Sequence, residues 1–230
     1  MAHVTETNFW RSWHQAYDDP GSDLSHRLAA VQRQIRAALD KAPPGPLRAI
    51  SMCAGQGRDL IGALATHPRR ADVTARLVEI DPRLAESARA AAQAAGLPGV
   101  EVLTADAALT DNYIGLAPAD LVLACGIFGN ITARDIERIA GYCTQLCARG
   151  GTVIWTRSHQ PPDLVPQICD WFSARGFEPI WISDPSTDWT VAAYRLAAAP
   201  APLEPGTRMF TFVARDPAKD PGRPSSQIRP

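Results

Sequence analysis

The chain has 230 residues, 46% of them hydrophobic, with a net charge of −1 and a pI near 6.5. That length buries a full core in one domain. The balanced charge, without a long basic run, counts against a nucleic-acid partner, which usually needs a positive footprint, without excluding one, and the apolar stretches fall short of a membrane span.

Residues 1–8 have neither a basic start nor an apolar core, so they do not read as a signal peptide. Trp10, Trp13 and Tyr17 recur at helical spacing and share one face, with His14 beside them. Asp18 to Ser22 breaks this segment. A helix is expected over 23–40, where Leu24, Leu28, Val31, Ile35 and Leu39 form an apolar stripe. The run 42–46, with three prolines and a glycine, stops it.

Residues 48–62 organise the rest of the chain. Ala49 to Met52 suits a buried parallel strand. Cys53, Ala54, Gly55, Gln56 and Gly57 form a tight glycine turn, and Arg58 onward opens a helix to about 66. Glycines remove the Cβ atoms that would hold a ligand off the backbone, and a helix start offers free N–H groups. Asp59 suits that helix start. A second strand ends in Glu79-Ile80-Asp81, with Glu79 22 residues past Gly57. At that spacing a carboxylate meets two ribose hydroxyls. A helix over 82–95 leads to a third strand, which ends in Asp106-Ala107. A fourth, 119–125, ends in Cys125-Gly126.

Thr132 is placed to cap the next helix, with Asp135 three residues on. That helix is expected to reach about 148. Cys143 and Cys147, one helical turn apart, would then share a face. The five cysteines match no zinc spacing, so no metal is expected, and they read as free thiols of a cytoplasmic protein. Residues 152–156 read as the fifth strand, and 161–175 as a helix opened by two prolines. Three strand-like runs come next, at 177–183, 189–196 and 208–213. Two of them are expected to form an antiparallel edge pair, with 197–207 as a connector. Residues 215–230 read as a disordered tail.

The pattern gives a doubly wound α/β fold, a mostly parallel sheet with helices on both faces. Ligands sit at the carboxyl ends of such strands, which places the 53–57 turn, Glu79, Asp106, Cys125-Gly126 and residues 155–159 on one rim.

These pieces, in this order and spacing, resemble class I S-adenosylmethionine-dependent methyltransferases. The matching stretches are Cys53–Gly57, Val78–Pro82, Thr104–Ala107 and Ala119–Gly126. The resemblance implies a seven-stranded Rossmann-like sheet over 45–214 with an antiparallel C-terminal edge, and S-adenosylmethionine as cofactor. It implies that Glu79, with Ile80 beside it, binds the ribose. Asp106, with Ala107, would take the adenine amino group, and the 53–57 backbone and Cys125-Gly126 the methionine end. Residues 1–44 would be a helical lid. The family carries an acid where Ser51 stands and a glycine where Cys53 stands. Ser51 cannot anchor an ammonium as a carboxylate does. Asp59 is a possible substitute, unless it only caps the helix.

The acceptor is less legible, because displacement at a sulfonium needs alignment more than obligatory residues. A small molecule, methylated on oxygen or nitrogen, is the default. His159 and His14 are candidate bases. Arg157 is suited to a substrate carboxylate or is a surface cation. Phe128 either stacks on a ligand or packs in the core, and Asn130 either meets substrate or caps a helix. Trp13 and Tyr17 would contact substrate from the lid. An aminopropyltransferase-like enzyme and a non-catalytic binding module remain as alternatives. A nicotinamide dehydrogenase is disfavoured, because Leu60 stands where a third glycine belongs. The sequence sets no oligomeric state.

Overall fold

The computed structural model describes Tyr17 and residues 19–213. Trp10, Trp13, His14 and the stretch 215–230 lie outside the described residues. Helix α1 (Asp23–Lys41) is followed by β1 (Leu47–Met52), α2 (Leu60–Leu64), β2 (Val73–Glu79), α3 (Pro82–Ala94) and β3 (Val100–Thr104). Then come β4 (Ala119–Ala124), α4 (Ala133–Leu146), β5 (Cys147–Ser158), α5 (Val165–Ala174), β6 (Phe177–Ile182) and β7 (Trp189–Leu196).

The seven strands lie in the order β3-β2-β1-β4-β5-β7-β6. The first five are parallel, and β7 and β6 add antiparallel edges. Strand order reverses between β1 and β4, so the crevice that takes ligands in such folds opens at their carboxyl ends. β1 is buried at every position but Arg48, as expected of a strand covered on both faces. Its alternate residues enter two cores. Ile50 and Met52 join α4 and α5 on one face, while Leu47 and Ala49 join α1, α2 and α3 on the other.

The stripe of α1 packs as its spacing predicts, burying Ala30, Val31, Ile35 and Leu39. Ser22 caps it by accepting from the Ser25 amide. Gln32 Nε2 donates to the Arg58 carbonyl (2.8 Å) and Arg36 to that of Gly62 (3.0 Å), which fastens α1 beside the glycine turn. Thr132 caps α4 by accepting from the Asp135 amide. The carboxylate of Asp135 does not complete a capping box; it pairs instead with Arg138.

Several boundaries differ from expectation. α2 stops at Leu64, and α5 starts only at Val165, where Asp163 accepts from the Val165 amide. β5 begins directly at Cys147. Cys143 and Cys147 are therefore both buried but share no helix face. β6 and β7 form the edge pair. The run 208–213 does not join the sheet and makes only isolated bridges, Leu109 with Arg208 and Ile131 with Phe212. Consecutive Met209 and Phe210 are both buried, which an alternating one-faced strand does not allow. The connector before it runs along α4, with the Ala201 amide on the Thr144 carbonyl. Among the described residues no helix is long and apolar enough to cross a membrane.

Candidate functional site

The glycine turn leaves β1 with three residues in the left-handed region: Cys53 (φ 51°), Gly55 (φ 55°) and Gly57 (φ 69°). For Cys53 this conformation is strained, which gives a physical reason for a glycine at that place in the resembled family. A Cβ on Gly57 would lie 2.6 Å from Ile61 Cδ1 and 2.8 Å from Leu77 Cδ2, so this glycine is also demanded by packing.

Glu79 at the tip of β2 holds the turn. One carboxylate oxygen accepts from the Gly55 amide and the other from the Asp81 amide, both at 2.8 Å. Loss of hydration raises its pKa, and those two amides oppose the rise. The Ile80 amide is also directed at this carboxylate, and of the four acceptor positions on the two oxygens at least one is left for a further donor. Beside it Ile80 is 65% exposed, an apolar surface next to a buried acid.

Ser51, in the place of the family's acid, is buried, and its hydroxyl has no partner among the described residues. The nearby charges sit elsewhere. Asp59 caps α2 by accepting from the Leu60 amide at 2.7 Å. Loss of hydration pushes its pKa up to about 6, with Arg27 pulling it down. Arg27 donates to the Tyr17 hydroxyl at 3.2 Å, and the Arg58 guanidinium lies 5.6 Å from the Tyr17 ring centre. The half-buried Tyr17 feels both Asp59 and Cys125 electrostatically. Tyr17 thus lies between α1 and the start of α2, within electrostatic reach of Asp59.

At the tip of β3, Asp106 accepts from the Ala108 amide (2.9 Å) and pairs with Arg208 (2.8 Å). Ala107 is buried, and its carbonyl accepts from Tyr113 Oη. Arg208 belongs to the 207–213 strap, whose Met209 amide bonds the Ala108 carbonyl and whose Val213 amide bonds that of Asn130. The strap brings Phe212, 45% exposed, to the rim. No motif or periodicity marks these residues; the only signal is an apolar pattern that fails as a strand.

After β4, the Gly126 amide donates to Thr156 Oγ1, and Asn130 Nδ2 returns to the Gly126 carbonyl, both at 2.8 Å. Asn130 braces this loop, while Thr132 caps the helix. Phe128 is fully buried, 5.8 Å from Trp155 and 6.5 Å from Phe172 between ring centres. It is core, and offers no face to adenine or acceptor. Burial pushes the Cys53 and Cys125 thiols well up, so neither is a nucleophile at neutral pH. Gln56 accepts from Arg58 Nε.

Arg157 donates to the Phe128 carbonyl at 2.6 Å. His159 has both ring nitrogens engaged, Nδ1 with Asp163 (3.0 Å) and Nε2 with Thr190 (2.9 Å), leaving none open to take a proton from an acceptor. Among the described residues no group of three His, Cys, Asp or Glu side chains is arranged to hold a metal ion.

No family model matches the chain, and no curated protein matches it in sequence. Solved structures do. An O-methyltransferase family protein from Burkholderia thailandensis is 18% identical with a TM-score of 0.61, covering 76% of this chain and 56% of that one. This chain therefore spans just over half that protein's length. A TehB-like S-adenosylmethionine-dependent methyltransferase from Corynebacterium glutamicum is 15% identical with a TM-score of 0.58, covering 84% and 98%. The 1,6-didemethyltoxoflavin-N1-methyltransferase of Burkholderia thailandensis, solved with its substrate and S-adenosylhomocysteine, is 16% identical with a TM-score of 0.60, covering 86% and 89%. The chain has the fold that these methyltransferases share.

Proposed function

We propose that this protein transfers a methyl group from S-adenosylmethionine to an oxygen or nitrogen atom of a small molecule. The observation that carries the reading is at the tip of β2. A buried carboxylate clamps the left-handed turn and keeps at least one lone pair to spare, and exposed Ile80 stands next to it. A ribose needs the first and an adenine ring is covered by the second. Asp106 and Ala107 are suited to the adenine edge, and Cys53 to Gly57 with Cys125 and Gly126 to the amino-acid end. Asp59 and Arg27 supply opposite charges beside that end, matching its ammonium and carboxylate where Ser51 does not.

Bound there, the donor would supply an activated methyl carbon, with sulfur keeping the electron pair of the bond that breaks, and the proton displaced from the acceptor would pass to solvent when the site opens. The chain's own part is to align and to exclude water. Tyr17, pinned by Arg27 and Arg58, is the described end of a segment that we assign to closing the site over both substrates.

The test is binding. S-adenosylhomocysteine should raise the melting temperature, with a linkage stabilisation of about 2.7 kcal/mol at a hundredfold excess over Kd. NAD should not. No response to S-adenosylhomocysteine, or a response to NAD alone, overturns the reading.

A further inference from the structure

We propose that Arg157 receives the carboxylate of the methyl acceptor, so that the substrates of this site are small carboxylic acids; this rests on the methyl-transfer reading above. Arg157 stands next to the last residue of β5, on the sheet face that carries Trp155 and α5. Its guanidinium is half-buried and poorly partnered. Nη1 donates to the Phe128 carbonyl at 2.6 Å, Nη2 reaches the Pro162 carbonyl only at 3.5 Å, and Nε is buried with no partner.

Among the described residues no carboxylate comes within 4.0 Å of it. The nearest acid in electrostatic reach, Asp163, is spent on His159 Nδ1 and the Val165 amide. Loss of hydration lowers the pKa of Arg157 below its ordinary value, and Asp163 only partly opposes this. A half-buried cation whose one nearby acid is already engaged by other donors is costly, and an incoming anion lowers the cost.

The geometry suits a carboxylate. Nη2 is the donor that a carboxylate oxygen can reach: its contact to the Pro162 carbonyl is long and exposed, and it is the one given up. Gly129 lies beside Nη1, where an added Cβ would come within 3.7 Å, and a Cβ on Gly126 would meet nothing within 4 Å. Both glycines belong to the loop that follows β4, at the crevice where the methyl group is delivered.

The experiment uses the full chain loaded with S-adenosylhomocysteine. Benzoate, 4-hydroxybenzoate, anthranilate and hexanoate are each compared with the matching primary amide by thermal shift. At least one acid should raise the melting temperature where its amide does not. Arg157→Gln should abolish that increment, Arg157→Lys should restore part of it, and S-adenosylhomocysteine affinity should stay the same in both. The proposal is overturned if no acid responds, if acid and amide respond alike, or if the response survives Arg157→Gln. If Arg157→Gln does not fold, the acid–amide comparison on the wild type together with Arg157→Lys carries the test: a full, unreduced acid response in Arg157→Lys overturns the proposal. Failure of the wild type to bind S-adenosylhomocysteine counts against the methyl-transfer reading instead.

Discussion

The two halves of the rim are built differently. On the β1–β2 side the polar groups hold one another through backbone amides of the same short motifs: Glu79 takes Gly55 and Asp81, and the Ala54 amide takes the Val78 carbonyl. On the β4–β5 side the loop 126–131 is held from the end of β5, 29 to 30 residues on and so about as far as Glu79 is from Gly55, and in addition by the distant strap. Arg157 bonds Phe128, Thr156 bonds Gly126, and Val213 bonds Asn130. In the proposed reading the first half is the mould for the methyl donor, and the second takes its walls from a strand end and a strap. A scaffold that keeps one donor and changes acceptors has this division of labour.

The sharpest way to break the comparison is to put a side chain on one glycine in each half. Gly57→Val forces a left-handed β-branched residue against Ile61 and Leu77, so strain and overpacking add. Urea denaturation should show a loss of about 3 kcal/mol or more, and ligand binding should follow the folded fraction. Gly126→Ala has the same sign of φ (78°) but open space in front of it, and should lose only about 1–2 kcal/mol. Equal losses at the two sites would show that packing does not distinguish the halves.

A smaller effect tests whether Glu79 serves both fold and ligand. In Glu79→Gln one oxygen becomes an NH2 group, which must face either the Gly55 or the Asp81 amide, donor against donor. A buried unsatisfied donor costs about 1–3 kcal/mol, so the variant should be destabilised by that amount without ligand. Calorimetry on the remaining folded protein should show S-adenosylhomocysteine binding weakened about tenfold or more. Lost stability with unchanged affinity would make Glu79 a brace of the turn and nothing else.

The same division explains what is legible in the sequence. Cys53 to Gly57, Glu79 and the mostly parallel sheet can be read because glycine turns and strand-tip acids act through local backbone geometry, which spacing records; the strand order cannot. The Thr132 cap is legible for the same reason. Phe128 is not, because an aromatic after a strand looks the same whether it faces a ligand or, as here, Trp155 and Phe172. The strap reads wrongly as a strand because Arg208 and Phe212 are set by where 197–207 runs along α4, a contact between segments about 55–60 residues apart with no periodic signature. His159 stands as a candidate base or a solvated loop histidine in the sequence, because its partner Thr190 is brought alongside only by the β5–β7 pairing.

The smallest expected effect concerns Asp59, where the mould is least self-contained. Its neighbours Arg27 and Tyr17 come from the N-terminal side, outside the β1–β2 motifs. Its folded pKa, about 6, lies above the unfolded value near 4, so folding favours the protonated acid. The stability this contributes is fully present below about pH 4 and is lost as pH rises through about 6. Asp59→Asn keeps a capping side chain and removes the titration. Wild type should therefore lose stability relative to Asp59→Asn between about pH 4 and 7, read as diverging urea midpoints; parallel profiles would mean that Asp59 is not desolvated. Ligand gives the same experiment a second readout. If Asp59 takes the ammonium of S-adenosylhomocysteine, the bound cation holds the carboxylate ionised, so saturating ligand should flatten the wild-type slope and bind more tightly at pH 7 than at pH 5. An unflattened slope would place the ammonium elsewhere and leave Asp59 as a helix cap alone.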